Sequence, residues 1–233
     1  MEFFTLDMKA TASAVAMGVL IIYLGGGFGL YFFLAMLMFL VLSGVVSYVG
    51  RAYKQKKRLF ERVRTTRNVI ANGLCPTAIA LLFYISTNWF SGAYGILIFA
   101  AFVGSVAAIT SDKFSSELGV LDGMPTQLIS FKKVKKGVSG GVTAIGLMSG
   151  LLGSALISIT PLLVYGQLSR AFGPGIWYVV LAALAGGFFG TLFDSILGYY
   201  EEKGVGNKYT SNFFASVAGS VVALLIAVWL IPL

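Results

Sequence analysis

The sequence contains no histidine, a single cysteine and only nine acidic side chains among its 233 residues. The missing histidine excludes His-based phosphatase and hydrolase mechanisms and removes the usual nitrogen ligand of a zinc site. The one thiol, Cys75, lies within an apolar stretch, so there is no disulfide framework. Charge of either sign is scarce, at 11% of residues, against roughly 25% in a soluble domain. That is too little to coat a surface in contact with water.

What the chain has instead is hydrophobic residues, 58% of the total, gathered in long blocks. Blocks of about 20 residues match the thickness of a bilayer core when helical. The expected fold is therefore all-α, a polytopic integral membrane helical bundle forming one transmembrane domain over residues 1–233. About seven transmembrane helices are expected, near 8–24, 28–49, 69–87, 92–110, 141–165, 175–197 and 212–232. At the amino terminus Glu2 and Asp7 oppose Lys9, and Ala12, Ser13 and Ala14 precede the apolar run where a cleavage site should follow it. This segment reads as a retained first span.

The net charge of +8 does not point to nucleic acid as a partner, because the basic residues sit in short loops between spans. Membrane lipid headgroups are the expected contacts. With the amino terminus cytoplasmic, segments 1–9, 50–68, 111–140 and 198–211 hold sixteen of the seventeen Lys and Arg residues; Arg170 is the exception. That asymmetry is the signature of cytoplasmic loops. All nine acidic residues fall on the same side or at the inner span ends, so any chemistry is expected at the cytoplasmic boundary of the cell membrane.

Four segments there could carry it. Asp112 and Glu117 lie in Ser111-Asp112-Lys113-Phe114-Ser115-Ser116-Glu117-Leu118-Gly119, and two carboxylates among hydroxyls suit Mg²⁺. Five residues apart on a helix, they point roughly 140° apart, so sharing one ion requires a helix break. Asp194 sits with Gly186, Gly190 and Gly198 on a four-residue repeat, a small polar stripe in an apolar span. Lys132, Lys133, Lys135 and Lys136 lead into Gly137, Ser139, Gly140 and Gly141, where freed backbone N–H groups and a helix start favour phosphate. Arg67 stands at a span entrance, with Asn68 and Asn72 on one helix face beyond it. Each segment also has a plain reading: solvated span ends, positive-inside lysines, helix caps and interhelical hydrogen bonds.

Together these blocks resemble the membrane family of transmembrane protein 19 and the plant phytyl-phosphate kinase, which has archaeal and bacterial relatives. The resemblance rests on Asn72-Gly73-Leu74-Cys75-Pro76-Thr77, on Ser111-Asp112 with Ser116-Glu117-Leu118-Gly119, and on Phe131-Lys132-Lys133-Val134 with Gly137 and Gly140-Gly141-Val142. Gly190 with Asp194-Ser195 and Leu197-Gly198 completes it, and Asn212-Phe213-Phe214 is a weaker block. Lys113, Lys135-Lys136, Ser139 and the segment after Gly198 depart from the family pattern.

The resemblance implies a kinase that uses CTP and Mg²⁺ to convert an isoprenyl monophosphate, phytyl or geranylgeranyl phosphate, to the diphosphate. Asp112, Glu117 and Asp194 would handle metal and phosphates. Lys132, Lys133, Gly137, Ser139, Gly140 and Gly141 would cradle the nucleotide, with Arg67, Asn72 and Ser195 completing the site. Two alternatives remain open at this point: a transporter or flippase for an isoprenoid or small solute, and a cytidylyltransferase joining CTP to a lipid phosphate.

Overall fold

A backbone in hydrocarbon must satisfy its own hydrogen bonds, so the apolar blocks fold as helices. The computed structural model describes residues 6–60, 63–92, 94–173 and 175–231. Its helices are α1 (Met8–Leu24), α2 (Gly29–Tyr48), α3 (Arg51–Lys56), α4 (Thr66–Trp89), α5 (Gly95–Gly119), α6 (Ala144–Ser158), α7 (Tyr165–Phe172), α8 (Ile176–Glu201) and α9 (Lys208–Leu230). Six stretches of helix are long and apolar enough to cross a membrane, and α1 is a shorter apolar helix. The expected all-α polytopic bundle is the fold observed. Glu2 and Glu61, expected on the basic face, lie outside the described residues.

Element boundaries depart from the hydropathy reading in two instructive places. The fourth span continues as unbroken helix to Gly119, so Asp112 and Glu117 are helical residues of α5 and not part of a loop. The fifth does not run straight from 141 to 165. Gly141–Val142 forms a short strand, β2, paired antiparallel with β1 (Thr126–Gln127), and α6 begins only at Ala144. After Ser158 the helix tightens into a 3₁₀ segment, Thr160–Val164, with Pro161 near its start, a residue that cannot continue the ladder.

The two ends of the bundle differ in kind. At one end α1, α4, α6 and α9 begin, and each is capped by a polar side chain. Asp7 accepts from the Ala10 N–H (2.7 Å), Thr143 from Gly146 (3.1 Å) and Asn207 from Tyr209 (3.0 Å), while Thr65 and Asn68 form a capping box. The helices that begin at the other end, α2, α5, α7 and α8, have no side-chain cap. That end holds an aromatic cluster in which Phe32 stacks on Phe102 (4.0 Å between centroids) and Tyr31 on Phe99 (5.0 Å).

Helix α5 is the central post. Its apolar window is 89% buried, against at most 50% in the other five spans, and it packs on α2, α4, α6, α8 and α9. Lipid supplies little hydrophobic drive between helices, so close contact through small residues must hold them. A Cβ added at Gly190 on α8 would lie 2.5 Å from the Ala108 Cβ of α5, and one at Gly219 on α9 would lie 2.6 Å from the same atom. Three helices therefore meet at one alanine.

Gly219→Ala is expected to overpack this junction, costing about 1–3 kcal/mol, and to lower the melting temperature in detergent. Gly166→Ala on α7, where an added Cβ meets nothing within 4 Å, is expected to leave it unchanged.

Candidate active site

The junction around Ala108 fixes where the polar ends of α5 and α8 face one another, one helical turn closer to the basic end. Asp112 and Asp194 stand there, half-buried, with their carboxyl groups within hydrogen-bonding reach of each other. Thr191 donates to the Ser111 hydroxyl just below them (2.6 Å), locking the two helices in register. The Asp194 Oδ1 atom is buried and has no hydrogen-bond partner. A buried carboxylate oxygen left in this state, facing a second carboxylate, calls for a compensating cation or proton. The donor set is oxygen only, with Ser115 and Ser116 on the same wall, and this fits Mg²⁺ better than a nitrogen- or sulfur-preferring metal.

Over this pair lies a cavity of about 230 Å³, closed on one side by the loop from Lys136 to Thr143. The loop is held by the β1–β2 ladder, by the Val134 N–H on Pro125 O (2.9 Å), and by close docking on α8. Gly140, at φ +75°, makes that docking possible: a Cβ there would stand 2.6 Å from Ser195 O and 2.7 Å from Tyr199 N. The glycine block and the Asp194 block of the sequence are thus in backbone contact. The Ser139 N–H donates to a Glu202 carboxylate oxygen (2.9 Å), so a loop amide already grips an anionic group. Lys136 and Lys208 add positive charge to the cavity wall, and Lys208 lies close enough to attract both Asp112 and Asp194. Lys136 also donates to the Tyr53 hydroxyl (2.9 Å), and this bond holds the Tyr53 phenol below its ordinary pKa. On the far rim the N–H groups of Gly123 and Ile145 hold the Asp122 carboxyl below the usual carboxylate range, anchoring the start of α6.

The expected site residues separate into two groups. Asp112, Asp194, Ser195, Gly137, Ser139, Gly140 and Gly141 line this one cavity. Lys132 and Lys133 are exposed and do not line it, and Arg67 is exposed on α4. Glu117 faces away from Asp112, as an unbroken helix requires. It accepts from Lys54 (2.6 Å), Lys113 (2.7 Å) and Ser47 (2.9 Å), and Lys54 is fully buried. Among the described residues no group of three His, Cys, Asp or Glu is close enough to share a metal. The expected trio of carboxylates is therefore a pair, and Glu117 is the anchor of an ion network on the opposite side of α5. Neutralising two ammoniums and accepting a hydroxyl gives this buried carboxylate the partners that offset its desolvation.

The model of the family described as integral membrane protein DUF92 matches residues 2–220. The chain belongs to the DUF92 family. It is similar to an uncharacterized membrane protein of Methanocaldococcus jannaschii, at 34% identity over 95% of this chain and 85% of that one. It is also similar to Protein VTE6, chloroplastic, of Arabidopsis thaliana, at 30% identity over 76% of this chain and 50% of that one. Protein PGR of the same plant is 29% identical over 70% of this chain and 62% of its own length. No solved structure matches. Of the motif blocks in the sequence, those around Asp112, Gly140 and Asp194 line the cavity, and Asn212 joins them there.

Several cavity residues escaped the sequence reading. Lys136 was passed over for its neighbours Lys132 and Lys133. Lys208 reads in the sequence as one more positive-inside residue, although it precedes Asn212 by four positions and shares its helix face. Asn212 donates to the Asn72 side chain (3.3 Å), joining α9 to α4.

Gly140→Ala is expected to undock the loop, since it adds a left-handed penalty of about 1–2 kcal/mol to the clash with α8. Faster trypsin cleavage at Lys132–Lys136 is the readout. Gly204→Ala, also at positive φ but with nothing within 4 Å of an added Cβ, is expected to leave that cleavage rate unchanged.

Proposed function

We propose that this protein is a nucleotide-dependent kinase that phosphorylates a prenyl monophosphate, with CTP as donor and the site on the cytoplasmic face. The observation that carries the reading is the Asp112–Asp194 pair, with its orphaned oxygen, beneath a glycine loop and two lysines. Phosphoryl transfer is mainly positioning and electrostatic stabilisation, and these are the parts it requires. A Mg²⁺ held by Asp112 and Asp194 would neutralise charge across the donor phosphates. Support for a prenyl acceptor and for CTP comes from the resemblance to the family that holds the plant phytyl-phosphate kinase.

The roles of the chain's own groups follow from their chemistry. The loop from Gly137 to Gly141 offers backbone N–H groups to phosphate oxygens, and its amide at Ser139 already holds a carboxylate. Lys136 and Lys208 balance the negative charge of donor and acceptor brought together. An oxygen of the acceptor phosphate attacks the terminal phosphorus of the nucleotide; the bond to the bridging oxygen breaks, and CDP leaves with those electrons. A phosphate monoester has its second pKa near 6, so at neutral pH the attacking oxygen carries no proton. The site therefore needs no histidine base.

Lipid-dependent CDP release from CTP and Mg²⁺, with geranylgeranyl or phytyl phosphate as acceptor, tests the reading. Asp112→Asn and Asp194→Asn are each expected to lower kcat by about a hundredfold or more without loss of folded protein. Lys136→Ala is expected to cost more than Lys132→Ala. Release of pyrophosphate in place of CDP would assign a cytidylyltransferase. No lipid-dependent release with any nucleoside triphosphate would sink the kinase and make vesicle flux the next assay.

The orientation has its own test, since Cys75 is buried and gives little labelling background. A cysteine at Lys203 is expected to react with an impermeant maleimide only from the cytoplasmic side, and one at Tyr94 only from outside.

A further inference from the structure

The active-site cavity does not end at Asp112. A second, polar cavity of about 40 Å³ shares Asp112, Ser116, Lys208 and Asn212 with it. A third, of about 110 Å³, shares Phe39, Arg64, Asn68 and Asn72 with the second. The three adjoin through these shared residues and together trace a line from the glycine loop to the cleft bounded by α1, α2 and α4.

Polarity changes along this line. Apart from its mouth at Arg64, Asn68 and Asn72, the outer cleft is walled by groups such as Met17, Ile21, Phe33, Met36 and Leu40. The middle chamber is lined by three cationic side chains, Arg64, Lys113 and Lys208, and one carboxylate, Asp112. Arg64 is held at the junction by Ser43, which accepts at its hydroxyl (2.7 Å) and at its carbonyl (2.8 Å), and by the Ser47 hydroxyl (3.0 Å). Lys113 is fixed by Glu117 (2.7 Å). Held in this way, the guanidinium keeps its positive charge at the junction in one geometry, and a charge already fixed attracts an anion without further loss of rotamer freedom.

Dimensions limit what fits the cleft. From Ala14 to Ile21 it follows about 10 Å of α1, at about 1.5 Å per residue. It is a single slot between three helices, shaped for one hydrocarbon chain and not for the two of a glycerophospholipid. Positive charge at its inner end and apolar walls beyond it complement an anionic head on a single apolar tail.

We propose that this line of cavities is the acceptor site: the phosphate of a single-chain lipid monophosphate sits among Arg64, Lys113 and Lys208, and its hydrocarbon chain lies in the α1–α2–α4 cleft. The assignment of that phosphate as the acceptor rests on the kinase reading; its binding does not. Gly18 and Met17 set how much chain the cleft takes. A Cβ at Gly18 would already stand 2.9 Å from the Phe33 ring.

Binding is measured on the purified full chain in detergent without nucleotide, using geranylgeranyl phosphate, geranylgeraniol and dioleoyl phosphatidic acid. Geranylgeranyl phosphate is expected to bind at least about tenfold more tightly than the alcohol or the two-chain lipid. Gly18→Leu and Met17→Trp are each expected to weaken it at least about tenfold, while CTP binds as it does to the unaltered protein. Two variants on one wall guard against a folding defect in either. Equal binding of phosphatidic acid, or wild-type affinity for geranylgeranyl phosphate in both variants, would overturn the assignment. Failure of the kinase reading looks different: geranylgeranyl phosphate binds, both cleft variants weaken it, and no CDP is released. Full turnover of geranylgeranyl phosphate by both variants would do the reverse, overturning the cleft and leaving the kinase intact.

Discussion

Close packing of α5, α8 and α9 through small side chains is the constraint on which the remaining structure depends. In a bilayer, apolar side chains gain little by leaving lipid for a neighbouring helix, so association relies on contact and shape. Ala108, Gly190 and Gly219 allow three backbones to approach one point. That approach brings Asp112 and Asp194 opposite one another a turn further on. Without it, each carboxylate would stand on a separate helix end, open to water, and the orphaned oxygen of Asp194 would not arise.

The same helix serves two electrostatic tasks because its residues face different ways. One side of α5 presents Asp112 to the cavity beneath the glycine loop. The other presents Glu117 to Lys54 and Lys113. Through Ser47 and Ser43 this network reaches Arg64, which stands at the mouth of the apolar cleft. The two carboxylates of one sequence motif thus face different partners: one lines the cavity opposite Asp194, and the other neutralises the lysines on the far side of α5.

Most of the fold was legible in the sequence, because span length and loop charge are one-dimensional signals. The helix boundaries at Met8–Leu24 and Gly29–Tyr48 lie within a residue of the hydropathy reading. What hydropathy could not see was the polar continuation of a helix beyond the apolar window, and this made Asp112 and Glu117 look like loop residues. The cavity was legible in part. Glycines and acids that meet across backbone contacts stand out by residue type, as Gly140 and Asp194 do. Lysines do not, because the basic loops supply more of them than a site can use, and only the folded loop distinguishes Lys136, on the cavity wall, from Lys132, which is exposed. Arg64 was hidden for a similar reason: its importance lies in two serines of α2, some twenty residues away.

The caps at the basic end have a directional consequence. Helices α5 and α8 finish there, so their last carbonyls bring partial negative charge to the cavity, whereas α6 and α9 start there and bring partial positive charge. Gly119 and Gly198 lie on the first wall, Thr143 and Lys208 on the second. Four main-chain dipoles thus set a field across one small volume before any side chain is counted. A cation would be drawn to the carboxylate wall and an anion to the amide wall, so the polarity of the cavity is written into the order in which the chain enters and leaves the membrane.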